Sequence, residues 1–196
     1  MLALDPGAEL LRVARQSLAS FQGVQFVQST FEDWPRQSMR FRLVASTQAF
    51  HWIAPEVRFA KAANVLRPGG FLAVFGNVPV GLAPSLLADF QRIYAAHGFP
   101  IDRGPPESWY LPAGPVAQLF ADSQLFDPVM HRSYAWDRPF TSQGYAEFLR
   151  TRSDHHMMEP DKREKVIAEV AAAIVAHGGQ FEMNYETHLY MARLAK

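Results

Sequence analysis

The chain contains no cysteine, which excludes disulfides and thiolate chemistry. It carries no excess of either charge, with 19 Lys and Arg against 19 Asp and Glu. A surface without basic excess has little general attraction for a phosphate backbone, so nucleic acid is not an expected partner. No basic amphipathic stretch points to a membrane surface, and no apolar run approaches the ~20 residues of a membrane span. The opening, Met1-Leu2-Ala3-Leu4-Asp5, has neither a positive region nor a cleavage pattern, so a cytoplasmic location is expected. What the chain does have is length and apolar content: 196 residues, 48% of them hydrophobic. That suffices for one domain with a well-filled core.

The first half alternates strand and helix. Met1 to Leu4 is an apolar run stopped by Asp5-Pro6-Gly7. Residues 8–19 predict a helix with Leu10, Leu11, Ala14 and Leu18 on one face. Residues 24–27 predict a strand, and residues 31–39 a polar loop containing Pro35. Residues 41–46 predict a third strand. Pro55 suits the first turn of a helix running to about Leu66, with Val57, Ala60, Ala63 and Leu66 inward. Arg67-Pro68-Gly69-Gly70 predicts a stop, and Phe71 to Phe75 a buried parallel strand. Such an order argues for a parallel sheet covered by helices.

In the second half, residues 84–97 predict a helix, and the Pro- and Gly-rich residues 98–116, which hold Trp109 and Tyr110, a loop able to cover a site. A strand over 129–137, helices over 142–150 and 161–177, and a long final strand over 181–194 follow.

Ligands of open α/β sheets bind beyond the C-terminal strand ends, so the residues there are the candidates. Asp5 follows the first strand; its two acceptor oxygens could take ribose hydroxyls or cap the next helix. Thr30-Phe31-Glu32-Asp33-Trp34 follows the second strand. It offers an acceptor for a purine amino group and an apolar face, or simply a polar loop with anchoring aromatics. Ser46-Thr47-Gln48-Ala49-Phe50-His51-Trp52 follows the third strand. Imidazole in general titrates near neutral pH, so His51 could act as a base, or pack against Trp52. The segment Val65 to Leu72 is mechanical. Asp154, His155, His156 and Glu159 lack the spacing of a metal site, so no metal is expected.

Taken together, LALDPGAELLRVAR, FVQSTFEDWP, LVASTQAFHWI and VLRPGGFLAVF resemble the class I methyltransferases that use S-adenosylmethionine (SAM). The resemblance covers residues 1–77 well and is nearest to the small-molecule branch that includes the trans-aconitate methyltransferases. It implies a Rossmann-like doubly wound α/β sheet, mostly parallel, with one antiparallel strand near the C-terminus. It further implies a single domain over 1–196, with residues 80–125 and 138–178 supplying substrate-side helices and loops. SAM is the implied cofactor, with Asp5 on its ribose, Thr30, Phe31 and Glu32 around its adenine, and Ser46 and Gln48 along its methionine end. His51, Trp52, Trp109, Tyr110 and His155 are the implied acceptor-side residues, with His51 as a possible catalytic base. Many relatives have Asp where this chain has Thr30, which leaves Glu32 to supply the acceptor.

One family element is missing from the sequence. No GxGxG occurs in the 196 residues, although the resemblance places a first strand and such a turn ahead of the segment that opens at Met1. Glycine there lets the backbone approach the cofactor closely. In the family that strand lies mid-sheet, so a truncated chain would leave two inner strand edges to be satisfied. At roughly 1–3 kcal/mol for each unpaired buried group, that is large against a domain's stability of ~5–15 kcal/mol. Two expectations follow: an enzyme that methylates a small-molecule acceptor, or a truncated, inactive relative that binds no cofactor.

Overall fold

The structure is a computed structural model that describes residues 1–35, 40–99, 101 and 106–196. Parts of two expected loops, residues 36–39 and residues 100 and 102–105, lie outside the described residues. The described chain forms six strands and seven α-helices: β1 (Leu2–Asp5), α1 (Ala8–Ser17), β2 (Gln25–Gln28), β3 (Phe41–Thr47), α2 (Pro55–Val65), β4 (Leu66–Gly81), α3 (Pro84–Ala96), α4 (Val116–Ser123), β5 (Met130–Thr141), α5 (Ser142–Thr151), α6 (Ser153–His156), α7 (Pro160–Ala176) and β6 (Gln180–Arg193).

The strands form two sheets, β1-β2 and β3-β4-β6-β5; the expected doubly wound sheet lacked the family's first, mid-sheet strand. β1 pairs with β2 in parallel from Leu2↔Gln25 to Asp5↔Gln28, and β3 with β4 in parallel from Leu43↔Phe71 to Thr47↔Phe75. Among the described residues no strand joins β1 to β3, which is why the sheet divides there. On the other side, β6 runs antiparallel to both neighbours. The amide of Ser142 donates to the Gly179 carbonyl at 3.0 Å. Phe140 stacks with Phe181, Asp137 bonds Asn184, and Trp136 stacks with Tyr185. Numbers fall on β5 as they rise on β6. Likewise Gly70 accepts from Leu194 and Asn77 from Thr187 across β4 and β6. The sheet is therefore mixed, with β6 the antiparallel strand.

The chain divides into two compact units: residues 1–75, 115–131 and 189–196, and residues 76–114 and 132–188. The first has a core of α2 and α4 aromatics, Phe59 and Phe120, with Phe50, Phe126, Leu72 and Val74. Phe59 lies edge-on to both Phe50 and Phe120, at 5.1 Å each. The second packs α3, α5 and α7 through Leu86, Phe90, Ile93, Leu149, Ile167, Val170 and Ile174. Gly178 and Gly179, at φ +101° and +80°, end α7 as its Gly-Gly pair predicts.

Several expectations need correction. The inward face of α2 is Phe59, Ala62 and Val65, with Arg58 also buried, rather than Val57, Ala60 and Ala63. Leu10 of α1 is 65% exposed while Leu11 is buried. The expected stop at 67–70 lies inside β4, because β3 and β6 flank that strand on both sides and extend its pairing. Gly69 meets this with φ +74°. The helix α4 and the short helix α6 were not expected at all.

Candidate functional site

In the first unit, Asp5 ends β1 and its carbonyl accepts from Ser29 at 3.2 Å, which holds the β1 and β2 exits side by side. Its Oδ1 accepts the Gly7 amide at 2.7 Å. The fit at Gly7 is close, since a Cβ there would stand 3.0 Å from that oxygen and 3.2 Å from Leu10. The helix-entry role is thus real and occupies one oxygen. Oδ2 has no hydrogen-bond partner among the described residues and can accept a ligand hydroxyl.

After β2, Thr30 donates to Asp33 Oδ2 at 2.8 Å and accepts the Asp33 amide at 3.0 Å, so its side chain shapes the turn. Glu32 Oε1 accepts the Ala54 amide at 2.8 Å, at the entry to α2. Lys61 of α2 donates to the carbonyls of Glu32 and Trp34, both at 2.7 Å, and its ammonium lies 5.7 Å from the Phe31 ring centre. The sequence reading misses Lys61, which looks like an ordinary polar position on a helix. Its role depends on a loop 27–29 residues away.

The Glu32 contact gives a direct prediction. Glu32→Ala removes a charged acceptor from the α2 entry amide and lowers unfolding free energy by about 1–2 kcal/mol. Urea titration reads this, and an unchanged midpoint would remove Glu32 from the account of the loop.

Ser46 lies in β3. Gln48, beyond its end, has φ +52° and donates its amide to Phe75 at 3.0 Å. A non-glycine residue in this region is uncommon and marks a sharp bend at a strand end. Phe50–Trp52 form a 3-10 turn. Phe50 is buried and Trp52 is 65% exposed, with the His51 and Trp52 rings 5.0 Å apart. Asp5 thus ends β1, the Thr30–Glu32 turn follows β2, and Gln48 and His51 follow β3.

In the second unit, Trp109 and Tyr110 lie on a 3-10 turn, Pro106–Tyr110. Tyr110 is wholly buried, so it packs rather than presents a free surface. His155 is 3% exposed and both its ring nitrogens are engaged: Nε2 with the Tyr94 hydroxyl and Nδ1 with Asp154 Oδ1, each at 2.7 Å. In this conformation it offers neither nitrogen to a ligand. Arg152 bonds Asp154 at 2.7 Å and Glu107 at 3.0 Å, extending the chain of contacts. Burial opposes ionisation of Asp154, but hydrogen bonds from His155 and Arg152 outweigh it and hold the carboxyl well below its usual range. Burial pushes the Tyr94 phenol far up, so it stays protonated. A carboxylate on Nδ1 places the imidazole proton there, leaving Nε2 to accept from Tyr94. Of this network the sequence suggests His155 but not Tyr94, 61 residues away. Among the described residues no group of three or more His, Asp or Glu is placed to hold a metal, and no helix is long and apolar enough to cross a membrane.

Residues 1–70 match the family model described as a methyltransferase domain. An uncharacterised methyltransferase of Mycobacterium tuberculosis is 36% identical over 77 residues, 39% of this chain and 30% of that protein. A Mycobacterium bovis relative matches to the same extent. The match thus spans under a third of the curated relatives' length. Among solved structures, a proposed type II methyltransferase from Anaeromyxobacter dehalogenans is 19% identical with a TM-score of 0.61, covering 98% of this chain and 79% of that one. A proposed methyltransferase from Bacillus halodurans is 18% identical with a TM-score of 0.52, covering 98% and 81%. At these identities the structural matches speak to the fold. Residues 1–70 thus match a methyltransferase domain in sequence, and the fold over nearly the whole chain is similar to that of the solved methyltransferases.

Proposed function

We propose that this protein transfers a methyl group from SAM to a small-molecule acceptor. The observation that carries the proposal is the coincidence of the family match over residues 1–70 with Asp5 at the end of β1, its Oδ2 still able to accept a hydroxyl. The donor set suits an adenosine. Asp5 would accept from the ribose through that oxygen. Phe31 would lie against the adenine, and the second oxygen of Glu32 would accept from the purine amino group. The bend at Gln48 and the Ser46 hydroxyl would line the methionine end. His51 and Trp52 belong to the same set of strand ends and are proposed to meet the acceptor, with His51 taking a proton where the acceptor has one to lose. Trp109, Tyr110 and His155 are proposed to shape acceptor binding, the last through its contacts with Tyr94 and Asp154.

SAM supplies an electrophilic methyl group on a sulfonium. The residues of this chain have to hold that group, align an acceptor lone pair opposite the leaving sulfur and keep water out. Carboxylate acceptors need no base, and phenols or amines need one. The trans-aconitate branch makes small carboxylates the first acceptors to try. Incubating the protein with methyl-labelled SAM and a panel of small acids, phenols and amines is expected to label at least one class. No turnover with any class, from protein shown to be folded, would overturn the acceptor assignment.

A further inference from the structure

The strand β5 closes one end of its sheet, and eleven of its twelve residues are exposed. They include large apolar side chains: Tyr134 at 50%, Met130 at 44% and Trp136 at 37%. A long exposed edge of this kind is a template for another strand. Its orientation follows from the register with β6. The Ser142 amide points to β6, and in an antiparallel pair alternate residues turn their backbone groups to opposite sides. Even-numbered residues of β5 therefore face β6, and Ser133, Ala135 and Asp137 turn theirs outward. Pro139 has the outward parity too, where its missing N–H costs the β6 ladder nothing.

We infer that this edge joins a second copy of the same chain, β5 against β5 in antiparallel, about a two-fold axis at Tyr134. The occupant follows from the strand's self-complementarity. With the axis at Tyr134, Ser133 exchanges backbone hydrogen bonds with Ala135 of the second copy. Arg132 then stands opposite Trp136, a cation over an indole, and His131 stands opposite Asp137. Each of these pairs occurs twice by symmetry. Shifting the axis to Ala135 sets Arg132 against Arg138. Shifting it to Ser133 places Asp137 opposite Val129, outside β5. Trp136 is already fixed for the purpose: it stacks on Tyr185 at 4.5 Å and its indole N–H donates to Thr187 at 3.0 Å. Tyr134 lies at a position where two copies bring their Cα atoms to about 4.5 Å, a non-hydrogen-bonded pair. This interface is independent of the methyl-transfer reading.

Sedimentation equilibrium of the full chain over the micromolar range tests the proposal. The parent chain is expected to form a reversible dimer. Ala135→Pro removes an outward amide without touching the β6 ladder and is expected to raise the dimer dissociation constant at least about tenfold, with melting and helical signal retained. Because the chain has no cysteine, a single new thiol reports the register. Tyr134→Cys is expected to form a disulfide-linked dimer under mild oxidation, since the spacing suits the bond, whereas Arg132→Cys, opposite position 136, is not. A parent chain that stays monomeric overturns the proposal. So does a dimer indifferent to Ala135→Pro, or one in which Arg132→Cys cross-links as fast as Tyr134→Cys. Should Ala135→Pro fail to fold, the parent's sedimentation and the two cysteine variants decide the matter.

Discussion

Phe59→Ala lowers the unfolding free energy by about 3–5 kcal/mol, the range for removing a buried aromatic ring. The ring is 7% exposed and lies against three others, Phe50 and Phe120 at 5.1 Å and Phe126 at 6.1 Å. These come from the turn after β3, from α4 and from the segment before β5, so one side chain ties together three otherwise separate stretches. Its loss leaves a void with aromatic walls drawn from different elements, which cannot all collapse into it. Denaturant titration reads the effect as a lower midpoint with a similar slope. A loss under about 1 kcal/mol would mean that the three neighbours repack freely and that this cluster does not organise the unit.

Arg152→Ala lowers the unfolding free energy by about 3 kcal/mol, the lower end of the range for breaking a buried ion pair from one side. Its guanidinium serves two carboxylates, Glu107 and Asp154, with side-chain exposures of 17% and 32%. Removing the cation leaves both partly desolvated and facing each other's charge. The same network makes stability depend on pH. Asp154 has a depressed pKa when folded, so its stabilisation is complete above the unfolded value of about 3.9. That stabilisation is lost as pH falls below it toward the folded value. Asp154→Asn is therefore expected to flatten the decline in stability between about pH 5 and 3. If the parent and Asp154→Asn decline in parallel, other carboxylates govern acid unfolding.

Much of this arrangement was legible in the sequence because it follows from local pattern. The Pro55 helix start, the Gly178-Gly179 stop and the long final strand occur as expected, within a residue or two. What failed depended on neighbours. The turn-like Arg67-Pro68-Gly69-Gly70 was drawn into β4 by strands on both sides. The inward face of α2 was misassigned because a buried arginine, Arg58, shares it with Phe59. The helix α4 is eight residues long, little more than two turns, too short for its periodicity to stand out. For the proposed site, strand-end residues could be nominated because open α/β sheets bind ligands there. Lys61 and the Tyr94–His155 contact could not, since each joins residues 27 to 61 positions apart. Of the two roles the sequence allows Asp5, the helix-entry contact is made, with one oxygen on Gly7; the ribose contact is a proposal.

The cofactor assignment is the centre of the account, and calorimetry of the folded chain with SAM tests it most directly. Saturable binding is expected, weakened at least about tenfold by Asp5→Ala, a loss of roughly 1.4 kcal/mol or more. Circular dichroism should show both proteins equally folded. No binding by the folded parent chain, or equal affinity in Asp5→Ala, would contradict it.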